Sequence, residues 1–180
     1  SKVHFDDLGD QTERYGGRIN SAGEHLLTII NEILDYTSIE LNSIKLNKTS
    51  FQAGDLLAEL EEQFQGLAKE KQSLIEIEFD AFNVLADRGR CTQILINLLG
   101  NALKFSSASN IRMRAKMIGE TCRLEIEDNG CGMPKEDMER IFQAFIQAES
   151  ATKSADGGTG LGLAISKKLA AAHDGDIHVE

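Results

Sequence analysis

The spacing of hydrophobic residues changes along the chain. From Ile19 to Tyr36 the apolar residues recur alternately every three and four positions, which is the heptad pattern of an amphipathic helix. Leu27, Ile30 and Leu34 widen this apolar face beyond what a single helix can bury. We therefore expect the helix to pack in a bundle with a preceding helix and a second copy of the chain, and we predict a homodimer. The polar segment before it, FDDLGDQTERYGG, contains glycines, which leaves its helical character open.

After residue 42 the spacing indicates short strands and helices. Strand patterns occur in SIKLNKTSF and in LIEIEF, and the segment AGDLLAELEEQFQGLAKEKQ between them has helical spacing. Further alternation predicts strands within 111–117, 124–126 and 177–179, and helical spacing predicts helices at about 90–105, 135–145 and 161–173.

This order of elements predicts an α+β fold. We expect a two-layer α/β sandwich, in which helices cover one face of a sheet, preceded by an α-helical bundle segment. The boundary falls near residue 48, so that residues 1–48 belong to the helical domain and residues 49–180 to the sandwich.

Composition narrows the classes of partner. The net charge of −10 argues against nucleic acid or an anionic membrane as the main partner. Three scattered cysteines form no Cys-x-x-Cys pair, which predicts neither a disulfide framework nor a zinc site. No apolar run approaches the roughly 20 residues of a membrane span, and no signal peptide opens the sequence. We expect a cytoplasmic segment without direct membrane contact; an anchor elsewhere in the parent protein stays open.

One predicted helix, TQILINLLGNALKF, has a polar face. Asn97, Asn101 and Lys104 are four and three positions apart and therefore share that face. An amide oxygen is a hard ligand suited to Mg²⁺, and an ammonium group attracts phosphate. Taken alone, the three side chains are equally compatible with an ordinary solvated helix face.

A second polar motif, EDNGCGM, follows a predicted strand. The Asp128 carboxylate can accept hydrogen bonds from an exocyclic amine such as that of adenine, and Gly130 and Gly132 let the backbone approach a ring closely. The alternative for this motif alone is an ordinary Asp-Asn-Gly turn.

The third motif is the glycine-rich segment SADGGTGLGLAIS. Gly158, Gly160 and Gly162 come directly before a predicted helix, and free N–H groups at such a helix start bind phosphate. The spacing matches neither the Walker A pattern nor the Rossmann glycine pattern.

These motifs, in this order, resemble the boxes of sensor histidine kinases. NLLGNALKF is similar to the N box, DNGCGM to the G1 box, IFQAF to the F box and GGTGLGLAIS to the G2 box. The segment INSAGEHLLTIINEILDYTSIE resembles the second helix of the dimerisation and histidine-phosphotransfer domain in that family. The resemblance implies the Bergerat ATP-binding fold, with ATP and Mg²⁺ as ligands, and a response regulator as partner.

The resemblance also implies roles for single residues. Asn101 would ligate Mg²⁺, Asn97 and Lys104 would lie at the phosphates, and Asp128 would bind the adenine amine in a pocket shaped by Gly130 and Gly132. The other residues that it implies at the nucleotide are Phe142, Lys153, Gly158, Thr159, Gly160, Leu161, Gly162 and Leu163. Phe142 and Phe145 would anchor an ATP lid that runs from about residue 146 to 156.

Two departures bear on the reaction. Relatives that hydrolyse ATP typically have Glu at the position of Asn97, and an amide cannot take a proton from water at neutral pH, so we expect phosphoryl transfer to a histidine. The acceptor motif of the family, a histidine followed by an acidic residue and then a proline, is missing, since the only proline is Pro134. We expect the acceptor to lie upstream in a longer protein and His25 to have a structural or surface role. Two alternatives stay open: a non-catalytic nucleotide-binding module and a gyrase-like or chaperone-like ATPase.

Overall fold

The architecture comes from a computed structural model of the chain. It describes residues 5–40, 45–106, 108–146 and 158–180, and for residues 5–14, 18, 21, 25, 39 and 40 it describes the backbone alone. The elements in chain order are α1 (Phe5–Glu40), β1 (Thr49–Gln52), α2 (Ala53–Glu70), β2 (Leu74–Phe79), β3 (Asn83–Ala86), α3 (Arg88–Phe105), β4 (Asn110–Ile118), β5 (Thr121–Glu127), α4 (Lys135–Arg140) and α5 (Gly162–Ala172).

The strands form two sheets. β1 and β3 pair antiparallel, and the larger sheet has the order β2-β4-β5, with β2 parallel and β5 antiparallel to β4. The central strand β4 alternates as the sequence predicts: Ile111, Met113 and Ala115 are fully buried, whereas the residues between them are only partly buried. The buried side faces the helices, since α2 and α3 supply the leucines Leu56, Leu57, Leu60, Leu95, Leu99 and Leu103 to the same core.

The opposite face of the larger sheet is charged. Arg114 of β4 pairs with Glu78 of β2 and with Glu125 and Glu127 of β5, at distances between 2.7 and 3.4 Å. Glu78 and Glu125 lie directly opposite Arg114 in the strand register, and Glu127 lies diagonally, so these pairs stabilise the sheet on the face that none of the described helices covers. The predicted two-layer α/β sandwich, with helices on one face, is confirmed.

The long helix α1 contacts the sandwich near its C-terminal end, through residues between Glu32 and Tyr36. Tyr36, which closes the predicted heptad pattern, packs with Ile94 and Ala144 on a cluster formed by three buried residues of the α5 region, Leu161, Ile165 and Leu169. The Asp35 carboxylate pairs with Arg90 at 3.1 Å and accepts a hydrogen bond from the Gln93 amide at 2.7 Å. None of the helices in the described ranges is long and apolar enough to cross a bilayer.

Three predicted elements are wrong in extent. Of the strand predicted over 43–51, residues 45–48 do not pair with another strand. The Asn47 N–H instead donates a hydrogen bond to the Asp87 carboxylate at 2.8 Å. The helix predicted over 135–145 ends at Arg140, and the chain then turns so that the Phe145 N–H donates to the Gly160 carbonyl at 2.9 Å. The last strand predicted at 177–179 does not form within residues 174–180, which are connected to β5 through an exposed ion pair between Arg123 and Glu180.

One element was not predicted from the sequence, and the helical character of another segment was left open. β3 was not predicted, because it has only four residues and its ladder depends on pairing with the distant strand β1. The polar segment before Ile19 belongs to α1, whose backbone is helical from Phe5 onward.

Candidate functional site

Helix α3 carries the first polar motif and is held at its start by Asp87. The Asp87 carboxylate accepts the Arg90 N–H at 3.1 Å, which is the standard N-cap contact. Desolvation opposes ionisation of this carboxyl, but the backbone N–H groups of Asn47 and Arg90 and the charge of Arg90 hold its pKa below the usual value. These contacts fix the position at which α3 begins, and the start of the helix in turn sets the direction of its polar face.

The middle of α3 contacts the start of α5. The Asn97 amide donates to the Ser166 hydroxyl at 2.9 Å, and Ser166 is buried. A Cβ atom added at Gly162 would lie 2.3 Å from Asn97 Oδ1, so only glycine fits there without moving the amide. The structure thus brings together the first and third motifs, which are about 60 residues apart in sequence.

The end of α3 lies beside both remaining motifs. A Cβ atom at Gly158 would be 3.8 Å from Lys104 Nζ, which places the ammonium group next to the glycine-rich segment. A Cβ atom at Gly130 would be 2.9 Å from the Phe105 carbonyl oxygen, so the second motif packs against the last turn of the same helix. Asn101 is one turn from both Asn97 and Lys104 on the helix.

The second motif presents an exposed carboxylate. Asp128 follows the last residue of β5, and its Oδ1 accepts the Gly130 N–H at 2.9 Å, which closes a short turn. Gly132 has a positive φ of 65°. The turn of the alternative interpretation is therefore present, and it holds the Asp128 carboxylate at the strand end beside the C-terminus of α3.

The glycine-rich segment adopts a fixed turn before α5. Gly160 has φ 75°, and an added Cβ would lie 2.9 Å from the Phe145 carbonyl carbon, so both its conformation and its space require glycine. The Thr159 hydroxyl accepts the Leu161 N–H at 3.1 Å. Leu161 is buried, and Leu163 lies in the first turn of α5.

The two phenylalanines of the F-box resemblance have different surroundings. Phe142 lies under the Lys167 ammonium group of α5, with Nζ 4.7 Å from the ring centroid. Phe145 is largely exposed and meets the Tyr36 ring edge-on at a centroid distance of 6.4 Å. Lys153 and most of the predicted lid lie outside the described residues, as does the side chain of His25.

Two contacts of this site were not predicted from the sequence. Ser166 is the partner of Asn97, and the Thr159 hydroxyl donates a hydrogen bond to the Glu32 carboxylate of α1. Ser166 is four residues beyond Gly162, on the same helical face, and this spacing was the available signal. No local pattern points to Glu32, which is 127 residues from its partner.

The donor set fits Mg²⁺ only in company with phosphate. The described residues contain no group of three or more His, Cys, Asp or Glu side chains that could hold a metal alone. Asn101 offers a single hard oxygen donor on the face shared with Lys104, and Mg²⁺ typically takes few protein ligands when phosphate oxygens and water supply the rest.

Comparisons with known proteins agree with this geometry. Residues 86–180 match the family described as histidine kinase-, DNA gyrase B-, and HSP90-like ATPase. The chain is 34% identical over 179 residues to the autoinducer 2 sensor kinase/phosphatase LuxQ of Vibrio cholerae, covering 96% of this chain and 21% of LuxQ. It therefore spans about a fifth of the length of that relative.

Solved structures show the same fold. Full-length ShkA in complex with AMPPNP superposes with a TM-score of 0.80 at 33% identity, over 90% of this chain and 34% of ShkA. ThkA in complex with the response regulator protein TrrA gives 0.71 at 27% identity, over 94% of this chain and 47% of ThkA. The chain belongs to the family of histidine kinase-, DNA gyrase B- and HSP90-like ATPases, and its sandwich is a catalytic domain of the sensor histidine kinase type.

Proposed function

We propose that this chain binds Mg-ATP and donates the γ-phosphoryl group to a histidine of a phosphotransfer domain, from which a response regulator receives it. The observation that carries the proposal is the convergence of the three motifs on α3, through Asn97 and Ser166, Lys104 and Gly158, and Phe105 and Gly130. The complexes of ShkA with AMPPNP and of ThkA with TrrA support the nucleotide and the partner.

Each motif has a part in nucleotide binding. Asp128 accepts a hydrogen bond from the adenine amine. Backbone N–H groups between Gly158 and Leu163 at the start of α5, apart from that of Leu161, which is donated to Thr159, donate to the phosphates. Lys104 supplies positive charge beside this segment, and Asn101 is the protein ligand for Mg²⁺. Held by Asn101 together with the phosphates, Mg²⁺ would supply neutralisation of the charge on the phosphate oxygens.

The transfer itself relies on positioning. The bond between the γ-phosphorus and its bridging oxygen breaks, ADP leaves with that electron pair, and an imidazole nitrogen forms the new bond with its lone pair. The Asn97 amide is fixed by Ser166 and has no basic lone pair, so the chain does not activate water at that position. This disfavours an ATPase of the gyrase or chaperone kind.

The histidines of the described residues do not supply an acceptor. Both ring nitrogens of His173 are engaged, with the Asp87 N–H at 3.1 Å and with the Leu169 carbonyl at 2.8 Å. His178 is exposed and lies beside Asp176, and it is followed by Val179 in place of the acidic residue of the acceptor motif. The acceptor is therefore proposed to lie on a separate phosphotransfer domain or on another part of the parent protein.

Nucleotide titration tests the binding step. In calorimetry we expect Mg-AMPPNP to bind the parent chain and Asp128→Asn to lose most of the affinity, because an amide replaces the acceptor of the adenine amine. Asp80→Asn is the matched control, since Asp80 is an exposed aspartate in the loop after β2. Equal affinity of Asp128→Asn and parent would contradict the proposed adenine contact.

A labelling experiment tests the transfer step. The chain is mixed with a separate phosphotransfer domain and ATP labelled in its γ-phosphate. Label in the acceptor domain supports the kinase, whereas nucleotide binding without label supports the non-catalytic module. Steady phosphate release without any acceptor protein would point instead to an ATPase.

We also propose that the chain is a homodimer through α1. Ile19, Leu26, Leu27 and Leu34 are each more than half exposed in the isolated chain, which is unusual for a continuous helix face. Sedimentation analysis should give a dimer for the parent and a monomer for Leu26→Glu. A monomeric parent at high micromolar concentration would contradict this interface.

A further inference from the structure

Helices α3 and α5 form an antiparallel pair that polar contacts hold at two levels. Near the proposed phosphate site, Asn97 contacts Ser166 and Gly162. At the other level, the Asp87 N–H donates to His173 Nε2 at 3.1 Å. Along α3 the two levels are ten positions apart, from Asp87 to Asn97, which is about 15 Å. On the side of α5, His173 is seven positions from Ser166 and eleven from Gly162, which is about 10 to 17 Å. The two levels are therefore similarly spaced on both helices.

The Asp87–His173 contact is geometrically defined. His173 Nε2 accepts the Asp87 N–H, so His173 Nδ1 carries the proton and donates it to the Leu169 carbonyl at 2.8 Å. Both oxygens of the Asp87 carboxylate are also engaged, one by the Arg90 N–H and the other by the Asn47 N–H. Asp87 thus connects the start of α3, the end of α5 and the segment that follows α1.

A hydrogen bond constrains the axial register of two helices more sharply than apolar packing does. Leu161, Ile165 and Leu169 form a buried cluster against which Ile94 packs, and the hydrophobic attraction that drives this packing is non-directional. A hydrogen bond weakens steeply when its angle or length departs from the optimum. The His173 contact therefore resists sliding of α5 along α3 at the end remote from the phosphates.

We propose that Asp87 and His173 are positioning residues for the nucleotide site, which hold the start of α5 in register with the polar face of α3. The inference rests on the proposed function. A shift of α5 would move the Gly158–Gly162 backbone relative to Asn97 and Lys104, so the N–H groups and the ammonium group would no longer converge on one set of phosphates. The residue that follows the C-terminal end of α5 acts in this way on its first residue.

The test compares three variants of the full 180-residue chain. His173→Ala removes the contact, and His173→Gln restores an acceptor oxygen for the Asp87 N–H. His178→Ala is the matched control, because His178 is an exposed histidine five residues further along. Calorimetry with Mg-AMPPNP measures affinity, and the amide resonances of Gly162 and Ser166 without nucleotide report the register.

We expect the Kd of His173→Ala to rise about fivefold, as for the loss of one hydrogen bond that supports a site. The Gly162 and Ser166 resonances should shift in the same variant, and both readouts should return towards the parent in His173→Gln. His178→Ala should match the parent.

Three results would overturn the inference. These are a Kd of His173→Ala within twofold of the parent, weaker binding without movement of the Gly162 and Ser166 resonances, and a His173→Gln variant no better than His173→Ala. If the parent binds no nucleotide, the proposed function fails. The resonances of the nucleotide-free variants then decide the register alone, and unchanged resonances overturn it.

Discussion

Replacing Gly162 by alanine should separate stability from nucleotide binding. The added Cβ would lie 2.3 Å from Asn97 Oδ1, whereas ordinary contact begins at 3.4 Å, so the amide has to move by about 1.1 Å. The atom in the way is the end of a side chain, not backbone, so the helix itself can stay in place. The cost therefore falls on the orientation of Asn97.

The change in stability should be small because two terms oppose each other. Moving Asn97 breaks its hydrogen bond and leaves the buried Ser166 hydroxyl unsatisfied, which costs about 1–3 kcal/mol. Alanine in place of glycine returns up to about 1 kcal/mol in a helix, and less in its first turn. We expect a net loss of about 1 kcal/mol, or a Tm lower by about 3 °C for a chain of this size.

Nucleotide binding should change far more than stability. The displaced Asn97 side chain moves within the face that carries Asn101 and Lys104, and we expect Mg-AMPPNP to bind at least about tenfold more weakly in calorimetry. Gly66→Ala is the matched control, since Gly66 lies in α2 with no atom within 4 Å of an added Cβ. It should stabilise the chain by about 0.5–1 kcal/mol and leave binding unchanged. A Gly162→Ala variant that binds like the parent would refute the reasoning.

Three further predictions concern the ion pair between α1 and α3, the Asp87 carboxylate at the start of α3, and the cysteine thiols. A double-mutant cycle of Asp35→Ala and Arg90→Ala, measured by urea unfolding, should give a coupling free energy of about 0.5–1 kcal/mol. A coupling free energy of zero would show that this ion pair does not stabilise the contact of α1 with the sandwich. The folded state lowers the pKa of the Asp87 carboxyl, so the stability that the carboxylate contributes is present above its unfolded pKa of about 3.9 and is lost as pH falls through the folded pKa. In urea unfolding, the difference in stability between the parent and Asp87→Asn should therefore shrink below about pH 4, and a constant difference would contradict this. Burial raises the pKa of the Cys91 thiol to about 11, so at pH 8 a thiol reagent should modify the exposed Cys131 rapidly and Cys91 only on unfolding. Equal modification rates in the native protein would contradict the burial of Cys91.

Much of the fold could be predicted from local pattern. The alternation of β4 and the helical spacing of α2 and α3 reflect burial on one side, and burial is encoded residue by residue. The prediction was wrong where an element depends on a distant partner. Residues 177–179 alternate like a strand, yet alternation alone does not form a ladder, and the short β3 exists because β1 pairs with it.

The candidate site shows the same division. Asn97, Asn101 and Lys104 could be placed on one helix face from their spacing, and the glycine-rich segment could be placed before a helix. Their individual roles stay predictions. The partners that hold them could not be found in this way, because Ser166, Glu32 and His173 lie 69, 127 and 86 residues from the groups they contact.

Local sequence specifies which residues can form helices and strands, which faces are apolar, and that Asn97, Asn101 and Lys104 share one helix face. These properties follow from the repeat of 3.6 or 2 residues, which is local. The antiparallel packing of α3 and α5 between the Asn97–Ser166 and Asp87–His173 contacts, and the packing of the end of α1 against them, arise from the tertiary structure. Such contacts depend on how whole elements pack, because a hydrogen bond forms only when both partners are brought within about 3 Å at the right angle.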